Sequence, residues 1–280
     1  MIALCCLDAV SVRYLRELID LLAVCLAELG QETRLAVGAL DPDATNIVLD
    51  FYKAASPEPF AGHRYVVYQL EQLSPGCRFL TAASVRVLRN ALAVWDFAAE
   101  NAALLAGLRI RAEVLPVGWH PAMATLPALD PADKDIDVLF YGSLNRRREA
   151  VLSRLAREPV RLKVLEGVFG AERDAFVARS RLVLNIHYFE AKLLEIVRIS
   201  HLLANRAFVL AEEAASNPYA GLGLATAPYR ELAGRCLDWL ANGPALEAAR
   251  ASAADHFAAD LPMTPLLARL VAALPGLAAS

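Results

Sequence analysis

The alternation of strand and helix signals constrains the fold more than any other feature of this sequence. Short aliphatic runs, such as "IALCCL" at residues 2–7 and "DVLFY" at residues 137–141, alternate with segments whose apolar residues recur at helical spacing. This order is typical of βαβ units, whose strands form a mostly parallel sheet that is buried on both faces. Hydrophobic residues make up 57% of the chain, which is enough for such a core. The sequence therefore predicts the α/β class.

A proline-bearing segment divides the alternating series into two halves. Residues 118–134, "GWHPAMATLPALDPADK", contain three prolines and show little periodicity, which is typical of a connection between domains. We therefore expect a short N-terminal domain at residues 1–118, a linker at 119–134 and a C-terminal domain at 135–280. The last helical segments are expected to close the C-terminal domain.

Charge and composition exclude several classes of partner. The net charge is −3, with 28 basic and 31 acidic side chains, so the chain lacks the basic field of a nucleic-acid or anionic-membrane binder. No uninterrupted apolar stretch is long enough to cross a bilayer, and the N-terminus lacks a basic leader with a cleavage site. The five cysteines lack metal-type spacing and indicate buried thiols in a reducing compartment. We expect a cytoplasmic protein without a transmembrane segment or a nucleic-acid partner.

The segment "YGSLNRRRE" has the features of an anion site at a strand-to-helix turn. Gly142 permits a tight turn after the strand, and either Ser143 or Asn145 can cap the helix that follows. The free backbone N–H groups at the start of such a helix suit an anion.

Three arginines occupy the first turn of the same helix. Arg146, Arg147 and Arg148 oppose the helix dipole there, at a cost of a few tenths of a kcal/mol each. A chain that tolerates all three is expected to use at least one of them on a phosphate group. The alternative is a solvated basic surface without a ligand.

A second polar group lies where the strand "RLVLNIHY" gives way to a helix. Asn185, His187, Glu190 and Glu195 all fall in this region, and ligands of parallel α/β sheets bind where strands hand over to helices. A carboxylate at Glu195 can accept both hydroxyls of a ribose. The alternatives are an exposed helical glutamate paired with Arg198 three residues later, and a histidine satisfied within the fold.

Polar residues also end the strand "RYVVYQLEQL" in the first half. Gln69, Glu71 and Gln72 follow its apolar run, and a carboxylate at Glu71 can orient or deprotonate an acceptor hydroxyl. As a turn at the end of a strand, the segment needs no function at all.

Several well-known signatures are absent from the sequence. We find no GxGxxG or P-loop turn, no GxSxG elbow, no HExxH or CxxC metal set, and no DxD pair at a strand end. The sequence therefore predicts neither a bound metal nor a dissociable cofactor.

Taken together, "YGSLNRRRE", "LNIHYFEAKLLEIVRISHLL" and "LLANRAFVLAEE" resemble the glycosyltransferases of the GT-B fold, of the bacterial "glycosyl transferases group 1" type. The resemblance is clearest from Asp137 to Glu213. It implies two Rossmann-like domains facing a cleft, with a nucleotide-sugar donor mainly on the C-terminal domain and no metal requirement.

The resemblance also implies roles for particular residues. The donor would contact Gly142, Ser143, Asn145, Arg146, Arg147, Asn185, Glu190, Glu195 and Arg198. By analogy, Glu195 holds the ribose, while His187 occupies the position of the family's first glutamate and approaches the sugar or phosphate. An arginine cluster replaces the family's lysine, which keeps the charge but not the geometry. Glu71 is expected to be the catalytic base of an inverting reaction.

The resemblance predicts transfer of a sugar from a nucleotide diphosphate donor to an acceptor that is a glycan, a protein or a small molecule. Two other functions stay open. A degenerate relative would bind nucleotide or glycan without turnover, as the short first domain and the missing glutamate suggest. A nucleotide-sugar epimerase can share the same shape.

Overall fold

The computed structural model of the protein describes residues 1–189 and 193–275, which form two compact units. The first unit contains residues 1–120 together with the chain from Pro262 onward, and the second contains Pro121–Leu261. Each unit is built around one parallel sheet, as the alternation of strand and helix signals predicts.

The first unit contains a six-stranded sheet in the order β2-β1-β3-β4-β5-β6, in which all neighbouring strands are parallel. The central strands β1 and β3 are buried along their whole length, because helices cover both faces of a parallel sheet. The strands are β1 (Ile2–Cys6), β2 (Thr33–Val37), β3 (Thr45–Val48), β4 (Arg64–Gln69), β5 (Ala93–Asp96) and β6 (Glu113–Val114).

The helices of the first unit begin with a break that the apolar spacing does not show. Residues 11–30 have the spacing of one helix, but the structure has α1 (Ala9–Tyr14) and α2 (Arg16–Glu28) on either side of Leu15. Asp8 caps α1, where its carboxylate accepts a hydrogen bond of 2.9 Å from the N–H of Val10. The other helices of this part of the chain are α3 (Ala82–Asn90) and α4 (Ala99–Gly107).

The second unit contains a five-stranded parallel sheet in the order β11-β10-β9-β7-β8. Its strands are β7 (Ile136–Tyr141), β8 (Leu162–Leu165), β9 (Ser180–Asn185), β10 (Val209–Glu212) and β11 (Ala225–Ala227). Its helices are α5 (Arg146–Leu155), α6 (Gly170–Ala178), α7 (Ile196–Ala204), α8 (Leu232–Ala241) and α9 (Gly243–Asp260).

The last described helix, α10 (Met263–Ala272), belongs to the first unit, although the sequence analysis assigns it to the C-terminal domain. The N–H of Met263 donates to the carbonyl of Trp119 at 2.8 Å, and Thr264 donates to Glu28 on α2 at 2.7 Å. The apolar spacing of α10 shows that one of its faces is buried, but not which unit covers that face.

Strand order in the second sheet creates the place where a ligand is expected. The chain passes from β7 to β8 on one side and then to β9 on the other side of β7. The carboxyl ends of β7 and β9 therefore flank a topological switch point, where ligands of open α/β sheets bind. Within residues 1–189 and 193–275, no helix combines the length and apolar character needed to cross a membrane.

Candidate functional site

The candidate site lies at the carboxyl edge of the second sheet. There, β7, β9 and β10 end next to one another because they are parallel, and α5 and α7 begin close by. Four arginines lie at this edge, which we call the arginine cluster: Arg146, Arg147, Arg148 and Arg198.

Gly142, directly after β7, allows two members of the arginine cluster to approach the backbone. Its φ of +130° lies where side chains with a Cβ are strained. A Cβ placed on this glycine would lie 2.7 Å from the Nη2 of Arg198 and 3.4 Å from the Nη1 of Arg148. The glycine is therefore needed both for the turn and for the position of the guanidinium of Arg198.

Arg148 is the buried member of the cluster, with 3% of the residue exposed. Its Nε donates to the carbonyl of Ile186 at 2.9 Å, and its Nη1 donates to the carbonyl of Ser143 at 2.8 Å. Burial, together with the like charge of Arg198, lowers the pKa of Arg148 to about 10. Arg148 therefore remains a cation at neutral pH and joins the end of β9 to the turn after β7.

Arg147 forms a buried ion pair with Glu212 at the end of β10. Both terminal nitrogens of its guanidinium donate to the two oxygens of this carboxylate, of which only 2% is exposed. The guanidinium also lies 4.0 Å from the ring centre of Tyr229. Because the positive charge of Arg147 is balanced in this way, it contributes less to an incoming anion than its neighbours do.

The remaining two arginines are more accessible. Arg146 is exposed at the start of α5, and the described part of the chain shows no ion pair for it. Arg198 is half-buried; its Nη1 donates to the Oδ1 of Asn185 at 2.8 Å, and its guanidinium lies 4.8 Å from the ring centre of Tyr141.

Glu195 occupies the N-cap position of α7, where its side chain makes no capping hydrogen bond, and 18% of that side chain is exposed at the same edge. Its Oε2 accepts hydrogen bonds from Asn185 at 2.8 Å and from the Nδ1 of His187 at 3.0 Å. Burial opposes ionisation, but the hydrogen bond and charge of His187, with the charge of Arg198, outweigh it and lower the pKa of Glu195. Glu195 is therefore a carboxylate held in one orientation.

His187 is fully buried, and each of its ring nitrogens faces an oxygen acceptor. Its Nδ1 faces Glu195, and its Nε2 lies 3.2 Å from the carbonyl of Glu213. Burial alone would lower the pKa of His187, but the hydrogen bond and charge of Glu195, with the charge of Glu212, outweigh it and raise the pKa. Two acceptors and a raised pKa favour the doubly protonated imidazolium.

The balance of charge at this edge is positive. Among the described residues, the four guanidinium groups outnumber the three carboxylates that accept hydrogen bonds at this edge, which belong to Glu166, Glu195 and Glu212. This surplus is local, because the whole chain carries a net charge of −3. Such an edge can hold a ligand with two or more negative charges.

The structure places nearly all of the predicted donor-binding residues at this one edge. Asn145 caps α5 by accepting from the N–H of Arg148 at 2.9 Å, and Ser143 contributes its carbonyl to Arg148. Glu190 lies outside the described residues. The roles predicted for these residues, including contact between His187 and a sugar, stay predictions.

Two residues at this edge, Glu212 and Tyr229, were not predicted from the sequence. A charged residue at the end of the buried strand "AFVL" was a usable signal for Glu212, because a buried carboxylate needs a partner. No comparable signal marks Tyr229, whose hydroxyl donates to the carbonyl of Arg147 at 2.7 Å.

Glu71 lies in the first unit, directly after β4, and its backbone is tightly held. The side chain of Gln69 accepts from the N–H of Glu71 at 2.6 Å and donates to its carbonyl at 2.7 Å. Asn101 donates to the same carbonyl at 2.9 Å, and Asp96 accepts from both amide side chains at 3.0 Å. Residue 71 is thus fixed by a buried polar network.

The carboxyl group of Glu71 is half-buried and hydrogen-bonded to Tyr52. Burial raises the pKa of Glu71, although the hydrogen bond from Tyr52 opposes the rise. Burial also raises the pKa of Asp96, to about 7. Among the residues described, no group of three or more histidine, cysteine, aspartate or glutamate side chains is arranged to hold a metal ion.

Comparison with known sequences gives no family. No protein-family model and no curated protein matches the chain. Solved structures, by contrast, match over most of its length.

Three of these structures illustrate the likeness. HepE from Anabaena, solved in complex with UDP and glucose, has a TM-score of 0.63 at 12% identity, covering 98% of this chain and 99% of HepE. AviGT4, a glycosyltransferase involved in avilamycin A biosynthesis, has a TM-score of 0.61 at 15% identity, covering 99% and 98%. TarM has a TM-score of 0.57 at 10% identity; the match covers 84% of this chain but only 55% of TarM.

These structures are GT-B glycosyltransferases, and identities this low establish a shared fold rather than a shared activity. The chain, with its two parallel-sheet α/β units, therefore has the GT-B fold.

Proposed function

We propose that this chain is a glycosyltransferase that moves a sugar from a nucleotide diphosphate donor to an acceptor without the help of a metal ion. The observation that carries the proposal is the positive surplus beside Gly142 at the switch point of the second sheet. Glycosyl transfer leaves negative charge on the departing diphosphate, and guanidinium groups held in place can stabilise that charge.

Within the arginine cluster, Arg198 and Arg146 are the members that we assign to the diphosphate. Arg198 is half-buried beside the glycine turn, and Arg146 is exposed at the start of α5. Arg147 is already neutralised by Glu212, so its main contribution is to hold α5 against β10. Arg148 adds buried positive charge while it joins β9 to the turn.

Glu195 is assigned to the ribose of the nucleotide. Its carboxylate is partly exposed and ionised, and Asn185 and His187 fix its direction, so it can accept hydrogen bonds from two adjacent hydroxyls. His187 then acts as a positioning residue for Glu195, because its ring is fully buried.

This assignment is tested by comparing UDP with 2′-deoxy-UDP. The protein is expected to bind UDP more tightly, since the deoxy compound lacks one of the two hydroxyls that would donate to Glu195. Glu195→Gln keeps the shape of the side chain but removes its charge, and the preference for UDP is expected to shrink several-fold. Equal preference in the original protein and in the variant would remove Glu195 from the ribose.

For an inverting reaction we assign the base to Glu71. The acceptor oxygen would form a bond to the anomeric carbon as the bond from that carbon to the diphosphate oxygen breaks, while the acceptor proton passes to the Glu71 carboxylate. A raised pKa suits this role, because a base is most effective when its pKa lies closer to the working pH. Gln69 and Asn101 hold the backbone of Glu71 in place for the transfer.

The donor is tested first with a thermal-shift panel of UDP-, GDP-, ADP-, TDP- and CMP-linked sugars. A ligand that binds only the folded state raises the melting temperature. UDP-glucose is the natural first probe because the similar structure of HepE holds UDP and glucose. We expect at least one nucleotide sugar to stabilise the protein, and a panel without any stabilising member would contradict the proposal.

Turnover is tested separately from binding. The protein is incubated with the donor that stabilises it most, and release of the nucleoside diphosphate is followed with and without a mixture of saccharide acceptors. We expect release to increase when an acceptor is present. Tight donor binding without any release would instead indicate a nucleotide-binding protein, and conversion of the donor sugar without release would indicate an epimerase.

A further inference from the structure

A pocket lies along the edge of the second sheet that β11 forms, and it adjoins the arginine cluster at Glu213. Its volume is about 450 Å³, within the range typical of small-molecule sites. β11 is the last strand in the sheet order, so within the described residues one side of its backbone has no neighbouring strand. Six side chains capable of recognition line the pocket: Glu213, Thr226, Arg235, Asp238, Trp239 and Asn242.

Trp239 provides the apolar surface of this pocket. Its ring packs against Phe208 with 4.8 Å between ring centres, which fixes its orientation, and the residue remains partly exposed. A fixed, partly exposed indole is suited to a ligand that has one apolar face and a polar rim.

The polar side chains around Trp239 retain hydrogen-bonding capacity. Arg235 and Asp238 are 3.7 Å apart on α8 and are 54% and 69% exposed, so their ion pair is loose. The Oδ1 of Asn242 caps α9 by accepting from the N–H of Ala245 at 3.2 Å, which leaves its amide N–H₂ as a donor. The pocket therefore offers a carboxylate, a guanidinium and an amide around one aromatic ring.

The charge of this pocket differs from that of the arginine cluster. Glu213 and Asp238 are both acidic, and Arg235 is the one basic side chain among those that line it. The excess of negative charge disfavours phosphates and nucleotides. A neutral ligand with many hydroxyl groups suits the same set of donors and acceptors.

We propose that this pocket binds a neutral saccharide. The apolar face of a pyranose ring would lie on Trp239, and its hydroxyls would bond to Asp238, Arg235 and Asn242. The pocket uses other side chains than the proposed donor site, and this proposal does not rest on nucleotide binding. The two sites adjoin at Glu213, which lines the pocket while its carbonyl accepts from the buried His187.

The test uses the full chain and nuclear magnetic resonance of the tryptophan indole N–H groups. Glucose, N-acetylglucosamine and maltose are the neutral probes, and glucose 1-phosphate is the anionic comparison. Trp239→Phe identifies the signal of Trp239 and keeps an aromatic ring against Phe208. Asp238→Ala removes an exposed acceptor from the pocket, and Asp255→Ala is the matched control because it removes an exposed aspartate that pairs with an arginine elsewhere in the same unit.

We expect at least one neutral saccharide to shift the Trp239 signal in a saturable manner. Asp238→Ala should weaken that binding about tenfold, because a hydrogen bond to a charged group is lost, while Asp255→Ala leaves it unchanged. Glucose 1-phosphate should bind more weakly than glucose. The proposal is overturned if no neutral probe shifts this signal, if Asp238→Ala binds like the original protein, or if glucose 1-phosphate binds more tightly than glucose.

These results are separable from the proposed transferase activity. Binding of UDP to the arginine cluster is measured in the same samples by calorimetry, and Asp238→Ala should leave it unchanged. If the original protein binds a saccharide but not UDP, the proposed function alone is contradicted. If it binds UDP but no neutral saccharide, the saccharide pocket alone is contradicted.

Discussion

Gly142 shows how a single residue sets the geometry of the candidate site. Its positive φ makes the turn after β7, and the missing Cβ leaves room for Arg198 and Arg148 beside the backbone. Any other residue would place a Cβ atom at this position, and the guanidinium of Arg198 would have to move.

Gly142→Ala is therefore expected to reduce affinity for nucleoside diphosphates about tenfold and to lower the free energy of unfolding by about 1 kcal/mol or more. Gly167→Ala is the matched control: its φ of +70° is also positive, but nothing lies within 4 Å of its added methyl group. Calorimetry and chemical denaturation measure both effects. Equal loss of affinity in the two variants would show that backbone strain, and not the displaced arginine, causes the change.

His187 and Glu195 form a coupled pair whose stabilisation depends on pH. Folding raises the pKa of His187, so the charge of this ring stabilises the fold when the pH is below the ordinary pKa of histidine. This stabilisation is lost as the pH rises through the raised pKa. The pKa of Glu195 is lowered, so its contribution is present above the ordinary glutamate value and is lost as the pH falls through the lowered value.

His187→Gln is predicted to destabilise the protein most in mildly acidic solution. The difference in free energy of unfolding between the original protein and the variant should shrink as the pH rises through the raised pKa of His187. Chemical denaturation over a pH series measures this difference. A difference that stays constant across the series would show that His187 contributes packing without charge.

The pair of Glu212 and Arg147 joins two elements of the second unit. It fixes the start of α5 against the end of β10, while the backbone N–H of His187 donates to the same carboxylate at 3.2 Å. Removal of one partner from a buried ion pair leaves an uncompensated charge, which costs more than the intact pair contributes.

Glu212→Gln is accordingly expected to lower the free energy of unfolding by about 3 kcal/mol. The control is Asp135→Asn, which breaks the ion pair between Asp135 and Arg179. These two side chains are 53% and 45% exposed, so this substitution should change the free energy of unfolding far less. Urea denaturation of both variants provides the measurement. Similar small effects in the two variants would mean that the Glu212 pair does not hold α5 in place.

The sequence pattern identified most strands and helices because apolar periodicity reports which faces are buried. The pattern failed where a strand is too short to show a period and where a helix breaks without a change in its apolar spacing. β11 has three residues, "ATA", which are too few for a period, and its place is set by pairing with β10. The break at Leu15 between α1 and α2 leaves the apolar spacing intact.

The candidate site was predictable in its chemistry but not in its pairing. Strand ends, a glycine and clustered arginines marked the right edge of the sheet, since ligands bind at strand ends and arginines are rare at buried positions without a partner. The pairing of Arg147 with Glu212 and the burial of Arg148 depend on how α5 is rotated against the sheet. Such rotation is decided by tertiary contacts, as shown by Tyr229 beneath Arg147.

For the molecule as a whole, a local positive surplus occurs in a chain with a net charge of −3. Non-specific attraction of anions is therefore weak, and nucleotide affinity has to come from the arginine cluster itself. The arginine cluster lies in the second unit, and Glu71, the proposed base, lies in the first.

The most direct test of this account is calorimetric titration of the full chain with UDP and the other nucleoside diphosphates. We predict saturable binding of at least one of them, weakened at least about tenfold by Arg198→Ala and unchanged by Arg179→Ala. Absence of binding by every nucleoside diphosphate, or equal affinity in the original protein and Arg198→Ala, would contradict the claim that the arginine cluster holds the donor diphosphate.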